Sequence, residues 1–165
     1  MLCQSHLTLR VIDAEVHCTY NGIPHSNEEG DMTSITSVEG IGSSYATKLR
    51  RVGIRTTEKL LDAGANKRGR ADLAKRSGIS ETLILEWVNL ADLMRIKGIG
   101  EEYSDLLEEA GVDTVKELRV RRPDHLYQAI IKANEVKRLV RRVPSQRAVK
   151  NWVQQAKKLP PLVTH

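Results

Sequence analysis

Apolar residues recur every three or four positions in several short segments of the chain, which is the spacing of amphipathic helices. The spacing is clearest in two segments, whose apolar residues are Tyr45, Leu49 and Val52 and then Tyr103, Leu106, Leu107 and Ala110. A glycine follows each segment, at Gly53 and Gly111, as commonly happens where a helix ends. Phe is absent, so a core must consist mainly of Leu, Ile, Val and Ala. The pattern predicts an all-α fold of packed helices.

The tripeptide Gly-Ile-Gly occurs at residues 40–42 and again, 58 positions later, at residues 98–100. Further along each copy, a serine is followed seven residues later by tryptophan and valine, with the serines at Ser80 and Ser145 and the tryptophans at Trp87 and Trp152. The offset of this second match is 65, so the second copy has about seven additional residues, between Arg122 and Pro144. The matches predict two tandem helical repeats, residues 32–93 and 94–165, packed as one compact unit.

Polar residues at the predicted helix starts fit the preferences of N-cap positions. We expect Ser43 or Ser44 to cap the helix after the first glycine pair, and Thr56 and Thr114 to cap the next helix of each copy. Glu117 follows Thr114 at the capping-box spacing, in which the glutamate bonds back to the cap.

Charge is distributed unevenly along the chain. Residues 1–31 carry one basic and five acidic side chains, whereas the remainder has a net charge of +9. A basic globular region attracts polyanions such as DNA, ribosomes or anionic membranes without selecting among them. No run approaches the ~18 apolar residues of a membrane span, and we expect no membrane partner.

Residues 1–31 differ from the rest of the chain. They have no helical periodicity and neither the basic start nor the continuous apolar stretch of a signal peptide. We expect a disordered or spurious N-terminal extension, with the natural start at Met32. No metal site and no cofactor are expected, because zinc-ligand spacing is absent among Cys3, His6, His17, Cys18 and His25. The cysteine usage favours a cytoplasmic location.

Both copies show the pattern apolar-x-Gly-apolar-Gly, with a small residue, Ala46 or Ser104, four positions after the second glycine and leucines beyond it. Over Thr36–Leu61 and Leu90–Leu118 this pattern resembles the helix-hairpin-helix motif. Over Ser34–Val163 the chain resembles the tandem helix-hairpin-helix family catalogued as domain of unknown function 4332. The resemblance implies an all-helical fold and a role in binding nucleic acid, and it supplies no catalytic residues.

The two glycine hairpins are the candidate phosphate sites. Glycine permits close approach of the backbone, and the following helix start offers free N–H groups and the positive end of its dipole. The expected contact residues at the first hairpin are Gly40, Ile41, Gly42, Ser43, Ser44, Thr47, Lys48 and Arg51. The second hairpin offers Gly98 and Gly100 after Lys97, but carboxylates that repel phosphate follow it at Glu101, Glu102, Asp105, Glu108 and Glu109. We expect the first hairpin to be the stronger phosphate site.

Several features also have a purely structural interpretation. Each hairpin is alternatively a tight turn between packed helices, with Ile41 and Ile99 in the core. Trp87 and Trp152 are expected in the core rather than stacked on bases. Three basic clusters are either solvated faces or strand contacts; they contain Lys67, Arg68, Arg70, Lys75 and Arg76, then Arg119, Arg121 and Arg122, and then Lys137, Arg138, Arg141 and Arg142. In the last cluster, Arg138, Arg141 and Arg142 would share one helical face.

The favoured function is non-catalytic binding of DNA or RNA through its phosphate backbone, with little sequence specificity. The alternative is a protein-interaction or scaffold module, with purely structural hairpins and an acidic second copy that docks a basic partner. A weaker alternative is an accessory targeting domain of a separate enzyme. The chain itself is not expected to be an enzyme, because it contains no nucleophile motif, phosphate loop or clustered metal ligands.

Overall fold

The computed structural model describes residues 33–164, and every regular element within them is helical. A 3-10 helix at Ile35–Ser37 comes first, followed by α1 (Ser43–Arg51), α2 (Thr57–Gly64), α3 (Lys67–Ser77), α4 (Glu81–Leu93), α5 (Glu101–Glu109), α6 (Val115–Leu118), α7 (Pro123–Lys137) and α8 (Gln146–Lys158). The predicted all-α class is confirmed. The predicted extension at residues 1–31, with its cysteines and histidines, lies outside the described residues.

Two of the predicted N-caps are confirmed, and the one predicted for α1 is wrong. The predicted caps Thr56 and Thr114 accept hydrogen bonds from the N–H groups of Lys59 and Glu117, both at 3.3 Å. The matched serines of the two copies, Ser80 and Ser145, cap α4 and α8 in the same way. Ser43 or Ser44 was expected to cap α1, and this is wrong, because the N-cap is Gly42 and Ser43 is already the first helical residue. Since glycine has no side chain, α1 has no side-chain cap.

The turns after α1 and α5 end their helices as predicted. Gly53 and Gly111 have φ angles of +90° and +81°, which is the left-handed conformation of a helix C-terminus. The capping box is displaced by one residue. Glu117 Oε2 accepts from the N–H of Asp113 at 2.9 Å rather than from the cap, Thr114.

Two apolar clusters form the interior, and α4 contributes to both. Ile84, Trp87 and Val88 lie in the first cluster with residues of α1, α2 and α3, while Leu93 lies in the second cluster with residues of α5 to α8. Trp87 and Trp152 are 1% and 3% exposed, which confirms their predicted place in the core. The shared helix makes residues 33–164 one packed body rather than two separate ones.

We call α1 to α4 the first half of the fold and α5 to α8 the second half. The segment after α8 returns to the first half. Val163 packs in the first apolar cluster. Thr164 N–H donates to the Ala65 carbonyl at 2.8 Å, and Arg95 Nη2 donates to the Pro160 carbonyl at 3.1 Å. Residues 160–164, which we call the C-terminal strap, therefore tie the end of the second half to the first.

The stretch in which the sequence predicts additional residues, between Arg122 and Pro144, forms α7 and the loop after it. Helix α7 ends at Lys137, and Arg138 follows with a left-handed φ of +53°. The side-chain amide of Asn134 then holds the loop, because it donates to the Val140 carbonyl at 3.1 Å and accepts from the Val140 N–H at 2.9 Å. The predicted helical face of Arg138, Arg141 and Arg142 is therefore wrong.

Candidate nucleic-acid interface

The first glycine turn, residues 40–42, packs its inner side against Trp87. Gly40 has a φ of +80°, and a Cβ there would lie 3.0 Å from Trp87 Nε1, so both conformation and space require glycine. Ile41 is 4% exposed and its N–H donates to the Val38 carbonyl at 3.1 Å. Ile41, expected among the contact residues, therefore belongs to the core instead.

The outer side of the first turn consists of Gly42, Ser43 and Ser44, which are exposed. Among residues 33–164, no atom outside the turn lies within 4 Å of the position that a Cβ of Gly42 would take. The first helical hydrogen bond of α1 runs from the Ala46 N–H to the Gly42 carbonyl at 2.9 Å, so the N–H groups of Ser43 and Ser44 have no acceptor in the described part of the chain. Unpaired N–H groups at the positive end of a helix dipole favour an anion.

Lys48 and Arg51 place positive charge one to two helical turns beyond these N–H groups. Lys48 Nζ lies 5.7 Å from the centroid of the Tyr45 ring, which packs edge-on against Trp87. Arg51 is exposed, and neither cation pairs with a carboxylate of residues 33–164. Thr47 was expected to contact a phosphate, but its hydroxyl already donates its proton to the Ser43 carbonyl at 2.8 Å.

The second glycine turn, residues 98–100, has the same inner contacts as the first. Gly98 has a φ of +96°, and a Cβ there would lie 3.2 Å from Trp152 Nε1. Tyr103 packs against Trp152 with ring centroids 5.3 Å apart, as Tyr45 packs against Trp87 at 5.0 Å. These shared contacts support the internal duplication, which stays a hypothesis.

Two features distinguish the second turn from the first. The side-chain amide of Gln155 fixes Lys97, accepting from its N–H at 3.0 Å and donating to its carbonyl at 3.1 Å. Glu101 and Glu102 occupy the first turn of α5, beside its N–H groups. Gly100 is exposed like Gly42, but the local charge there opposes a phosphate.

Glu39, directly before the first turn, faces the start of α5. Burial raises the pKa of Glu101, and a hydrogen bond with the side chain of Glu39 and the charge of Glu39 raise that pKa further. Because Glu101 lies 62 positions after Glu39, no local sequence pattern signals their contact. The first turn thus has two kinds of charge beside it. The cations Lys48 and Arg51 lie beyond it on α1, and the carboxyl groups of Glu39 and Glu101 lie together on the side before it.

Carboxyl groups with raised pKa values continue along α5. Burial and then the charge of Glu39 raise the pKa of Asp105. Burial raises the pKa of Glu108 to about 7, and the charges of Glu86, Asp113, Asp105 and Glu109 add to this effect. We call Glu101, Asp105 and Glu108, which follow each other at spacings of four and three, the acidic stripe.

We expect Glu108→Gln to raise the melting temperature at pH 8 and to change it little at pH 4. The native carboxyl keeps its proton up to about pH 7, whereas the group's ordinary pKa is 4.5. The native state therefore binds more protons between these values, and its stability falls as the pH rises through that window. Glutamine removes the dependence, because it never ionises.

Thermal unfolding of both proteins from about pH 4 to pH 8 measures this effect. Glu135→Gln, an exposed glutamate on α7, is the matched control and should show no such trend. A difference in melting temperature between Glu108→Gln and the unmodified protein that stays constant from pH 4 to pH 8 contradicts the prediction.

Several cations of the predicted basic clusters have structural partners. Arg70 is 3% exposed and donates to backbone carbonyls of α2 and of the C-terminal strap. Arg76 donates to the Val52 carbonyl at 3.0 Å, Arg121 donates to the Gly111 carbonyl, and Arg122 pairs with Asp124 at 2.9 Å. These clusters offer less free charge to a ligand than their sequence suggests.

The structure is that of an all-helical protein with two glycine turns, each packed against a buried tryptophan. A family model described as domain of unknown function 4332 matches residues 39–159, and the chain belongs to this family. No curated protein and no solved structure matches the chain. Among residues 33–164, no helix combines the length and apolar character needed to cross a membrane.

Proposed function

We propose that the protein is a non-catalytic module that binds the phosphate backbone of DNA or RNA at its first glycine turn, with little sequence specificity. The observation that carries the proposal is the open outer side of Gly42–Ser44. Within residues 33–164 its N–H groups have no acceptor, and the cations beyond it, Lys48 and Arg51, have no carboxylate partner. Such groups recognise phosphate, which is the same in every nucleotide. The cysteine usage supports a cytoplasmic place for this activity.

Charge reversal at Lys48 and Arg51 is expected to remove most of the binding. Each phosphate contact contributes about 0.9 to the slope of log affinity against log salt for duplex DNA, so Lys48→Glu with Arg51→Glu should weaken binding roughly tenfold or more at low salt and flatten that slope. Fluorescence anisotropy with a labelled duplex and a labelled single strand, at several salt concentrations, measures both effects.

The matched control is Lys157→Glu with Lys158→Glu, which makes the same charge change at the exposed end of α8. It should retain most of the affinity. No binding of either nucleic acid by the unmodified protein at low salt, or an equal loss in the control, rules out the first turn as a phosphate site.

Gly42→Ala tests the backbone contact separately. Gly42 has a φ of −70°, which any residue adopts, and its missing side chain faces open space, so the melting temperature should not change. The added methyl group lies on the outer side of the turn and keeps a phosphate from the N–H groups, so binding should weaken. Gly100→Ala makes the same change in the open but acidic second turn and should leave binding unaltered.

A protein-interaction module is the second candidate, and the acidic stripe favours it. Three carboxyl groups with raised pKa values lie on one helix, and a basic partner protein would relieve their repulsion. In this case Glu101→Gln with Asp105→Asn abolishes capture of the partner, while Lys48→Glu with Arg51→Glu leaves it unchanged. A stoichiometric partner that stays bound after nuclease treatment distinguishes this function from the first.

A further inference from the structure

A cavity of about 580 Å³ lies beside the second glycine turn. Its lining includes Gly98 of the turn, Tyr103 of α5, Tyr127 of α7, Arg142 of the following loop and Trp152 of α8. Its volume falls in the range of about 300–1,000 Å³ that is usual for small-molecule sites. Sequence reasoning missed this cavity, because its lining comes from segments far apart in the chain.

Hydrogen bonds hold the rim of the cavity in place. The Tyr103 hydroxyl donates to the Arg142 carbonyl at 3.1 Å, which joins α5 to the loop after α7. The two hydrogen bonds between Gln155 and Lys97 join the second turn to α8. The Tyr103 ring and the backbone of Lys97 and Arg142 are thus positioned before any ligand arrives, which reduces the ordering cost of binding.

The cavity combines free cations with accessible aromatic rings. Lys97 and Arg142 are exposed and pair with no carboxylate of the described residues, and no Asp or Glu lines the cavity. Glu101 and Glu102 line a separate hollow that shares only Gly98 and Tyr103 with it. Tyr103 and Tyr127 are half-buried, so part of each ring stays accessible. Cations bind phosphate and rings bind a base, and together they fit a nucleotide.

A longer groove continues from this cavity along the first half of α8. The groove has a volume of about 1130 Å³ and shares Ser145, Ala148 and Asn151 with the cavity. Arg147 and Lys150 contribute positive charge to it, and its one carboxylate, Asp124, pairs with Arg122 at 2.9 Å. The continuity of cavity and basic groove favours a polymer over a single nucleotide.

We propose that the cavity holds one nucleotide of a single-stranded nucleic acid, with its base against Tyr127 and Tyr103 and its phosphate at Lys97 and Arg142. The next phosphates of the strand pass along the groove beside Arg147 and Lys150. A base stacks on a side-chain ring only when it is free of its partner strand, so this contact selects single strands over duplexes. The inference rests on the proposed function. It adds a second contact site, which selects single-stranded over double-stranded nucleic acid.

Fluorescence anisotropy with a labelled 12-nucleotide oligothymidine and a labelled 12-base-pair duplex tests the proposal. Tyr127→Leu keeps an apolar side chain but removes the ring, and it should lower the affinity for the single strand about fivefold or more while leaving the duplex affinity within about twofold. Tyr127→Phe restores the ring and should restore the affinity for the single strand. Circular dichroism melting shows whether each variant is folded.

A charge variant keeps the test decisive even if Tyr127→Leu is poorly folded. Arg142→Gln should weaken oligothymidine binding and reduce its salt dependence, whereas Arg141→Gln, an exposed neighbour outside the cavity lining, should do neither. Unchanged single-strand binding by Arg142→Gln, or by a Tyr127→Leu variant that melts like the unmodified protein, overturns the cavity. If Lys48→Glu with Arg51→Glu removes the binding in the same experiment, the proposed function still stands. If Tyr127→Leu loses the same affinity for the duplex as for the single strand, the cavity does not select single strands. No binding of either probe by the unmodified protein overturns both proposals.

Discussion

Asp92→Ala is expected to lower the free energy of unfolding by about 3–5 kcal/mol. The Asp92 carboxylate is fully buried at the end of α4, where the two halves of the fold meet. Its Oδ1 pairs with Arg95 Nη1 at 2.6 Å, and its Oδ2 accepts from the N–H of Val115, the first residue of α6, at 2.9 Å. Alanine leaves Arg95 without its counter-charge and leaves a buried N–H unpaired, a state that costs about 1–3 kcal/mol alone.

Equilibrium unfolding in urea measures this loss of unfolding free energy, and two further variants are measured for comparison. Asp72→Ala removes an exposed carboxylate that lies 3.4 Å from Arg76, and it should cost at most about 1 kcal/mol. Asp92→Asn keeps an acceptor for the Val115 N–H but removes the charge. Its loss of unfolding free energy should therefore lie between those of Asp72→Ala and Asp92→Ala. A loss for Asp92→Ala no larger than that for Asp72→Ala would falsify the assignment of Asp92 as the buried link between the halves.

The helix boundaries that were predicted correctly have local signals. A cap at Thr56 or Thr114 needs only a side-chain oxygen and an N–H three residues later, both in the same short segment. A glycine such as Gly53 marks a helix end through its own backbone conformation. The cap of α1 was placed wrongly for a related reason, since an extended glycine takes the N-cap position without offering the side chain that the pattern requires.

The end of α7 shows where local signals stop. No glycine marks it, and the arginines beyond Lys137 keep a helical spacing in the sequence. The chain leaves the helix because Val140 is buried in the second cluster and the amide of Asn134 pairs with its backbone. Burial of Val140 depends on the packing of other helices, so the sequence of this segment alone does not reveal it.

Part of the candidate site was also predictable from local sequence, and part of it was not. The two glycine turns were visible as a repeated tripeptide, and their inner contacts with Trp87 and Trp152 are alike. The contact of Glu39 with Glu101 was not visible, because it joins residues of different halves. Arg70 was misread as part of a basic cluster, although its spacing of three residues from Leu73 placed it on the buried face of α3.

Arg70→Met is expected to lower the free energy of unfolding by about 2–4 kcal/mol and to release the C-terminal strap. The buried guanidinium donates to the Gly64 carbonyl at 3.0 Å and to the Thr164 carbonyl at 2.9 Å. Among residues 33–164 it pairs with no carboxylate, and it lies instead at the negative end of the α2 dipole. Methionine fills much of the same space, so the loss reports the missing hydrogen bonds rather than a large cavity.

The strap provides an independent measurement of the same effect. If Arg70 holds the strap in place, Arg70→Met and Val163→Ala should be coupled by at least about 0.5 kcal/mol in a double-mutant cycle, because each removes part of one attachment. The amide proton of Thr164, which bonds to the Ala65 carbonyl, should also exchange faster in Arg70→Met. Arg68→Met, on the exposed side of α3, should stay within about 0.5 kcal/mol of the unmodified protein. Additive losses with an unchanged exchange rate at Thr164 would mean that Val163 alone anchors the strap and that Arg70 stabilises only the end of α2.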